Sequence, residues 1–243
     1  MRLRLTFSKT GALRYTGHLD LQRIWERTAR RAGLPLVYSQ GFHPQPKIQI
    51  AAALPLGFSA RAELVDIWLQ DDVGAGLVPA QLVPAQGDHK DHLYDEIAKK
   101  LQNAAPPGLT ILSIENVDER GPALQTQVIS AEYEVTLLEA MDEAALTRNL
   151  SAVLEAESLP RERRGKPYDL RPLIELLHLL PFSPAPMPPC STTPLLLMRL
   201  AAREAATGRP EEVLDAIGIP SETARIERSR LILKSEGILK NPN

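Results

Sequence analysis

Cysteine occurs once in 243 residues, at Cys190. That excludes an intrachain disulfide, a four-cysteine zinc site and any iron–sulfur cluster held by this chain alone. A reducing, cytoplasmic setting is the expectation. Aromatic residues make up 5% of the chain, too few for a many-ringed platform gripping single-stranded RNA. Apolar runs such as PLLLMRLAA fall well short of the ~20 residues of a membrane span. The opening MRLRLTFSKT alternates and has no apolar centre, which argues against a secretory signal. No Walker loop, GxGxxG, GxSxG or HExxH sequence occurs. His89 and His92 flank acidic residues without a third soft ligand nearby. The sequence therefore assigns no catalytic residue, metal or cofactor.

What is present is charge, unevenly spread. The net −2 conceals a basic start, an acidic middle and a basic end. Residues 1–66 hold ten Lys/Arg against four Asp/Glu, a balance of +6. Residues 67–160 hold five against sixteen, or −11, and residues 161–243 thirteen against ten, or +3. Basic segments of this kind permit a phosphate- or RNA-facing surface despite a near-neutral total.

Periodicity predicts the elements. RLRLTFSKTG sets Leu3, Leu5 and Phe7 against Arg2, Arg4 and Thr6, a strand with one buried face. HLDLQRIWERTARRAG carries Leu21, Ile24 and Trp25 at helical spacing and stops at Gly33 and Pro35. LVYS, KIQIAAALPLG and AELVDIWLQ predict strands, DHLYDEIAKKLQNA a helix on Leu93, Ile97 and Leu101, and LTILSIENV a strand. The second half repeats that element order, ending in RPEEVLDAIG as a short helix and ARIERSRLIL as a strand. YDLRPLIELLHLL reads equally as strand or helix. The expected fold is α+β, two ferredoxin-like βαββαβ halves packed as one compact unit. Their expected bounds are 1–122 and 123–243.

Polar candidates crowd the first part. Lys9, Arg14, Tyr15, His18, Arg30, Arg31, Tyr38, Phe42, His43 and Lys47 fall within forty positions. His18 opens the first helix, near its positive end. Arg23, Arg27, Arg30 and Arg31 form a basic stripe on that helix. In SQGFHPQPK, Gly41 permits positive φ while Pro44 and Pro46 stiffen the loop. A loop that is stiff beforehand loses less entropy on binding. RERRGKPYDLRP adds an arginine-rich loop with Arg164, Lys166 and Arg171.

These stretches carry a resemblance. FSKTG-x-LRYTGHLDL-x-R, RRAGLPL-x-YS-x-GFHP-x-PKI, PLG at 55–57, Glu63 and R-x-RRGK-x-YDLRP resemble the radical-SAM-linked family, a bacterial domain of unknown function. Gly17 stands where that family leads one to expect serine. The resemblance implies a partner more than a reaction: a cobalamin-binding radical SAM protein. This chain lacks the three-cysteine cluster motif, so radical chemistry would belong to the partner. The expected role is accessory and non-catalytic, binding RNA or another phosphate-bearing substrate in a basic groove between the halves. One alternative is an RNA-processing endonuclease of the CRISPR type, with His18 or His43 as acid/base and Lys47 stabilising the transition state. The other is an adaptor that binds only protein.

Overall fold

The computed structural model describes residues 1–70, 89–139, 141–180 and 194–234. Cys190, most of the linker DDVGAGLVPAQLVPAQGDHK and the proline-rich stretch before the LLLMRLAA strand lie outside them. The chain divides into two compact units, Met1–Gln127 and Val128–Asn243. Among the described residues no helix is long and apolar enough to cross a membrane.

The first unit runs β1 (Arg2–Lys9), a 3-10 turn (Gly11–Tyr15), α1 (His18–Arg31), β2 (Ile48–Ile50), β3 (Ser59–Trp68), α2 (His89–Ala104), β4 (Leu109–Val117) and a short α3 (Leu124–Gln127). Its strands lie in the order β2-β3-β1-β4, each antiparallel to its neighbours. This is the split βαβ order, in which each helix carries the chain past one intervening strand. Leu3, Leu5 and Phe7 of β1 face Trp25 and Leu21 of α1 and Ile97 and Leu101 of α2 in one apolar core. Phe7 and Trp25 meet edge to face at 4.9 Å, worth about 0.5–1.5 kcal/mol beyond burial. At the end of α1 the Gly33 N–H donates to the Arg30 carbonyl and the Leu34 N–H to Ala29. With Gly33 at φ +68°, this glycine-ended cap uses carbonyls that the helix would leave open.

The other face of β1 overturns the one-sided strand. Arg2 and Arg4 are buried, and both bind Asp66 of β3, itself fully buried. Arg2 Nε and Nη2 reach Asp66 Oδ2 at 2.9 and 2.6 Å; Arg4 Nε reaches Oδ1 at 2.9 Å. The remaining Arg2 donors take the carbonyls of Asp118, Gly121 and Pro122. One guanidinium thus fastens residues 118–122, and its burial is tolerated because every one of its nitrogens meets an acceptor.

The second unit runs β5 (Val128–Leu137), α4 (Glu143–Glu155), β6 (Pro160–Arg163), β7 (Lys166–Asp169), β8 (Ile174–Leu180), β9 (Leu195–Arg203), β10 (Ala206–Thr207), α5 (Pro210–Ala216) and β11 (Ala224–Leu233). Strands β8-β9-β5-β11 repeat the split βαβ order, again antiparallel throughout. β10 extends the β9 edge, and β6–β7 form a hairpin of their own, inserted between α4 and β8. The stretch that read equally as strand or helix is therefore β7, a turn and β8. Its periodicity was ambiguous because the turn at Arg171–Leu173 interrupts it.

In β11 the buried residues are Ile226, Arg228, Leu231 and Leu233, so no single unbroken alternation runs along the strand. The pairing with β5 slips between Arg228 and Arg230. One unpaired residue, Ser229, reverses which side chains face inward.

Candidate functional site

Within the first unit the sequence candidates fall into two groups at opposite ends of the sheet. Lys9 pairs with Ala60, and Arg2 pairs with Trp68. Seven residue steps along β1 separate those two rungs, roughly 23 Å at about 3.3 Å each. Lys9, Arg14, Tyr15 and His18 gather where β1 ends and α1 begins. Arg30, Arg31, Tyr38, Phe42, His43 and Lys47 lie where α1 ends and β3 reaches Trp68. The 14 residues of α1, about 21 Å long, hold His18 apart from His43. Closeness in sequence gave no closeness in space, because helix and strand each run the length of the unit.

At the first end, Lys9 is not a surface ligand. It is 1% exposed, and its ammonium donates to the Thr16 carbonyl at 2.9 Å. It pins the turn that precedes α1 and cannot meet a phosphate. Arg14 stacks on Tyr15, 4.6 Å from the ring centroid, and donates to its hydroxyl. Its carbonyl accepts from the Gly57 N–H, bringing the 55–58 turn alongside. Tyr15, Leu19 and Leu56 are well exposed. Gly108 approaches this turn closely: its carbonyl accepts from the Thr10 N–H, and a Cβ there would lie 2.4 Å from the Thr10 carbonyl oxygen.

The second end carries the better-formed site. The loop 39–47 is closed at its neck by backbone pairing. Ser39 N–H donates to the Gln45 carbonyl, Lys47 N–H to Val37, and Val37 N–H to Trp68, all at 2.8 Å. Gln45 N–H returns to Ser39 Oγ at 3.0 Å. Gly41 takes φ +140°, a region side chains disfavour, and turns the chain at the tip. Phe42 projects wholly into solvent at 103% exposure. Phe42 is therefore not tucked into the core. A ring left in water forgoes about 1.5–3 kcal/mol of burial, so folding of this unit does not account for it.

His43 is also exposed, and Tyr38 partly so. Lys47 places its ammonium 4.4 Å from the ring centroid of buried Trp68, over which the Arg2 guanidinium also lies at 4.8 Å. That ring holds the lysine in place while leaving it open to solvent. Arg30 reaches Glu26 at 3.7 Å and Arg23 reaches Asp20 at 3.4 Å. The basic stripe is thus partly neutralised along the helix, by Asp20 as well as Glu26.

In the second unit the arginine-rich loop is the β6–β7 hairpin. Arg171 is engaged internally: its guanidinium donates to the Leu154 and Ile174 carbonyls. Arg163 binds Glu212 at 2.6 Å and lies 4.7 Å from the Tyr168 ring. Burial works against the Arg163 charge, but the Glu212 hydrogen bond and charge outweigh it and raise its pKa. Arg164 and Lys166 alone of the three predicted there stay exposed.

Sequence reading missed Asp66, Trp68, Leu19 and Leu56. Trp68 ends an alternating strand and gave no sign that it orients a lysine 21 residues earlier. Leu19 and Leu56 are ordinary apolar residues whose exposure is set by the packing around them.

A family model described as an uncharacterized protein conserved in bacteria (DUF2344) matches residues 2–86 and 88–210. The chain belongs to that family. Comparison with curated proteins gives no match.

Proposed function

We propose that this chain is a binding protein without a catalytic step of its own. In this reading it holds RNA, or another phosphate-bearing substrate, for a cobalamin-dependent radical SAM enzyme. The partner half rests on the sequence resemblance. The RNA half is supported chiefly by one observation: a neck-closed, proline-stiffened loop holds Phe42 fully in solvent, with Tyr38, His43 and the Trp68-oriented Lys47 beside it. A ring for a base and cations for the backbone are the two elements of single-strand RNA recognition.

The test is fluorescence anisotropy with a labelled oligouridylate over a salt series. Loss of one stacking ring costs about 1–3 kcal/mol, so Phe42→Ala should weaken binding by roughly five- to 150-fold. Lys47→Glu should weaken it further and flatten the salt dependence. No binding by the wild type at low salt sinks the RNA reading. Cleavage of the probe that disappears in His43→Ala would replace it with the endonuclease.

A second reading is favoured by the exposed Tyr15, Leu19 and Leu56 at the opposite end of the unit. Such a patch suits a protein partner, as the adaptor alternative requires. Co-purification with a radical SAM protein, lost in Leu19→Glu/Leu56→Glu but kept in Phe42→Ala, would separate the two surfaces.

A further inference from the structure

We propose that the tip of the β6–β7 hairpin, Arg164-Gly165-Lys166, is a phosphate-contacting prong for the RNA backbone, separate from the 39–47 loop. The choice of ligand rests on the RNA reading above; the prong itself rests on three features of the hairpin.

The first is its turn. Arg163 pairs with Lys166 across a two-residue connection, Arg164-Gly165, with φ of 53° and 75°. Both central residues are left-handed, the arrangement for which Asn-Gly or Asp-Gly is strongly preferred. Gly165 suits its position. Arg164 does not, since a long side chain gains nothing locally from positive φ and disfavours it. An uncommon backbone conformation occupied by a residue with no local reason for it points to a use of that side chain.

The second feature is how the hairpin is held. Two strands alone are marginal in water, yet these are fastened along their length, from the base to the rung below the turn. Arg163 grips Glu212 and stacks on Tyr168, and Arg161 reaches Asp215 at 3.0 Å, both carboxylates lying on α5. Asp169 accepts from the N–H groups of Leu159 at 2.7 Å and Arg171 at 2.9 Å. Those backbone hydrogen bonds hold its pKa below the ordinary carboxylate value.

The third feature is the division of labour. Arg161, Arg163 and Arg171 turn inward to carboxylates and carbonyls. Among the described residues Arg164 and Lys166 have no hydrogen-bond or ion-pair partner, and both are exposed. A guanidinium and an ammonium, one glycine apart on a fixed narrow ribbon, suit the oxygens of a phosphodiester backbone.

The test exploits opposite signs. Arg164→Gly and Arg164→Asn remove the cation and relieve the backbone together, so both variants should melt at a higher temperature than the wild type. Both should also bind labelled oligouridylate several-fold more weakly, with the slope of log K against log salt shallower by about 0.7 for one lost phosphate contact. Arg164→Lys should restore most of that slope. A rise in melting temperature with affinity and slope unchanged overturns the prong and leaves the loop reading intact. An absence of wild-type binding removes the RNA reading and the prong with it. Phe42→Ala measured in parallel should weaken binding without moving the melting temperature as Arg164→Gly does.

Discussion

Both units place one carboxylate between two arginines on the sheet, and they treat it in opposite ways. In the first, Asp66 joins Arg2 and Arg4 with side-chain exposures of 0%, 1% and 9%. In the second, Glu132 of β5 joins Arg199 of β9 and Arg230 of β11, at 14%, 38% and 54%. The distances are alike: 2.6 Å from Arg2 to Asp66, 2.5 and 2.6 Å from the two arginines to Glu132. Geometry therefore does not separate the triads; solvent does. An ion pair in water gains little, because hydration of the separated charges competes with it. A buried pair gains little over an apolar replacement but is costly to break, since the stranded charge cannot rehydrate.

The largest expected effect follows directly. Asp66→Asn leaves two buried guanidiniums without their carboxylate and should destabilise the first unit by about 3–5 kcal/mol. Both tryptophans, Trp25 and Trp68, lie in that unit, so their fluorescence in a urea titration reads its unfolding. Glu132→Gln should cost under about 1 kcal/mol, and less at high salt, as read by hydrogen exchange of β5. Equal costs for the two substitutions would mean that burial is not what distinguishes the triads.

The smallest effect concerns pH. The hydrogen bond from Arg230 lowers the Glu132 pKa below 4.5; burial opposes it, and Arg199 adds to the lowering. A depressed folded-state pKa gives a contribution present above the ordinary carboxylate value and lost as pH falls through the lowered one. The stability difference between wild type and Glu132→Gln should hold steady from neutrality to about pH 4.5 and shrink below it. A difference growing on acidification would refute the assignment.

The same contrast explains what was legible in the sequence. Leu93, Ile97 and Leu101 announced α2 because helical spacing is a property of neighbours. Gly33 marked the end of α1 for the same reason, since the cap needs one left-handed residue at that point. Arg2 and Arg4 misled, because alternation labels a charged residue as solvent-facing, and Asp66 lies more than sixty positions away. Lys9 misled likewise: its ammonium turns inward to the Thr16 carbonyl, an acceptor that leaves no trace in residue type. The 39–47 loop was legible as stiff, through Gly41 and its prolines, but not as the place where Phe42 stands in water.

Local sequence specified the core βαββαβ order, its repeat in the second half, the end of α1 and the stiffness of the candidate loop, but not the β6–β7 hairpin, nor that LVYS makes only isolated bridges. Each feature it specified depends on interactions between residues a few positions apart. Folding settled which charges are buried, which end of the unit each candidate occupies, and that Arg164 and Lys166 face outward while Arg171 does not. Those outcomes depend on which distant strand or helix supplies the carboxylate, the carbonyl or the covering surface, and local sequence does not specify the partner.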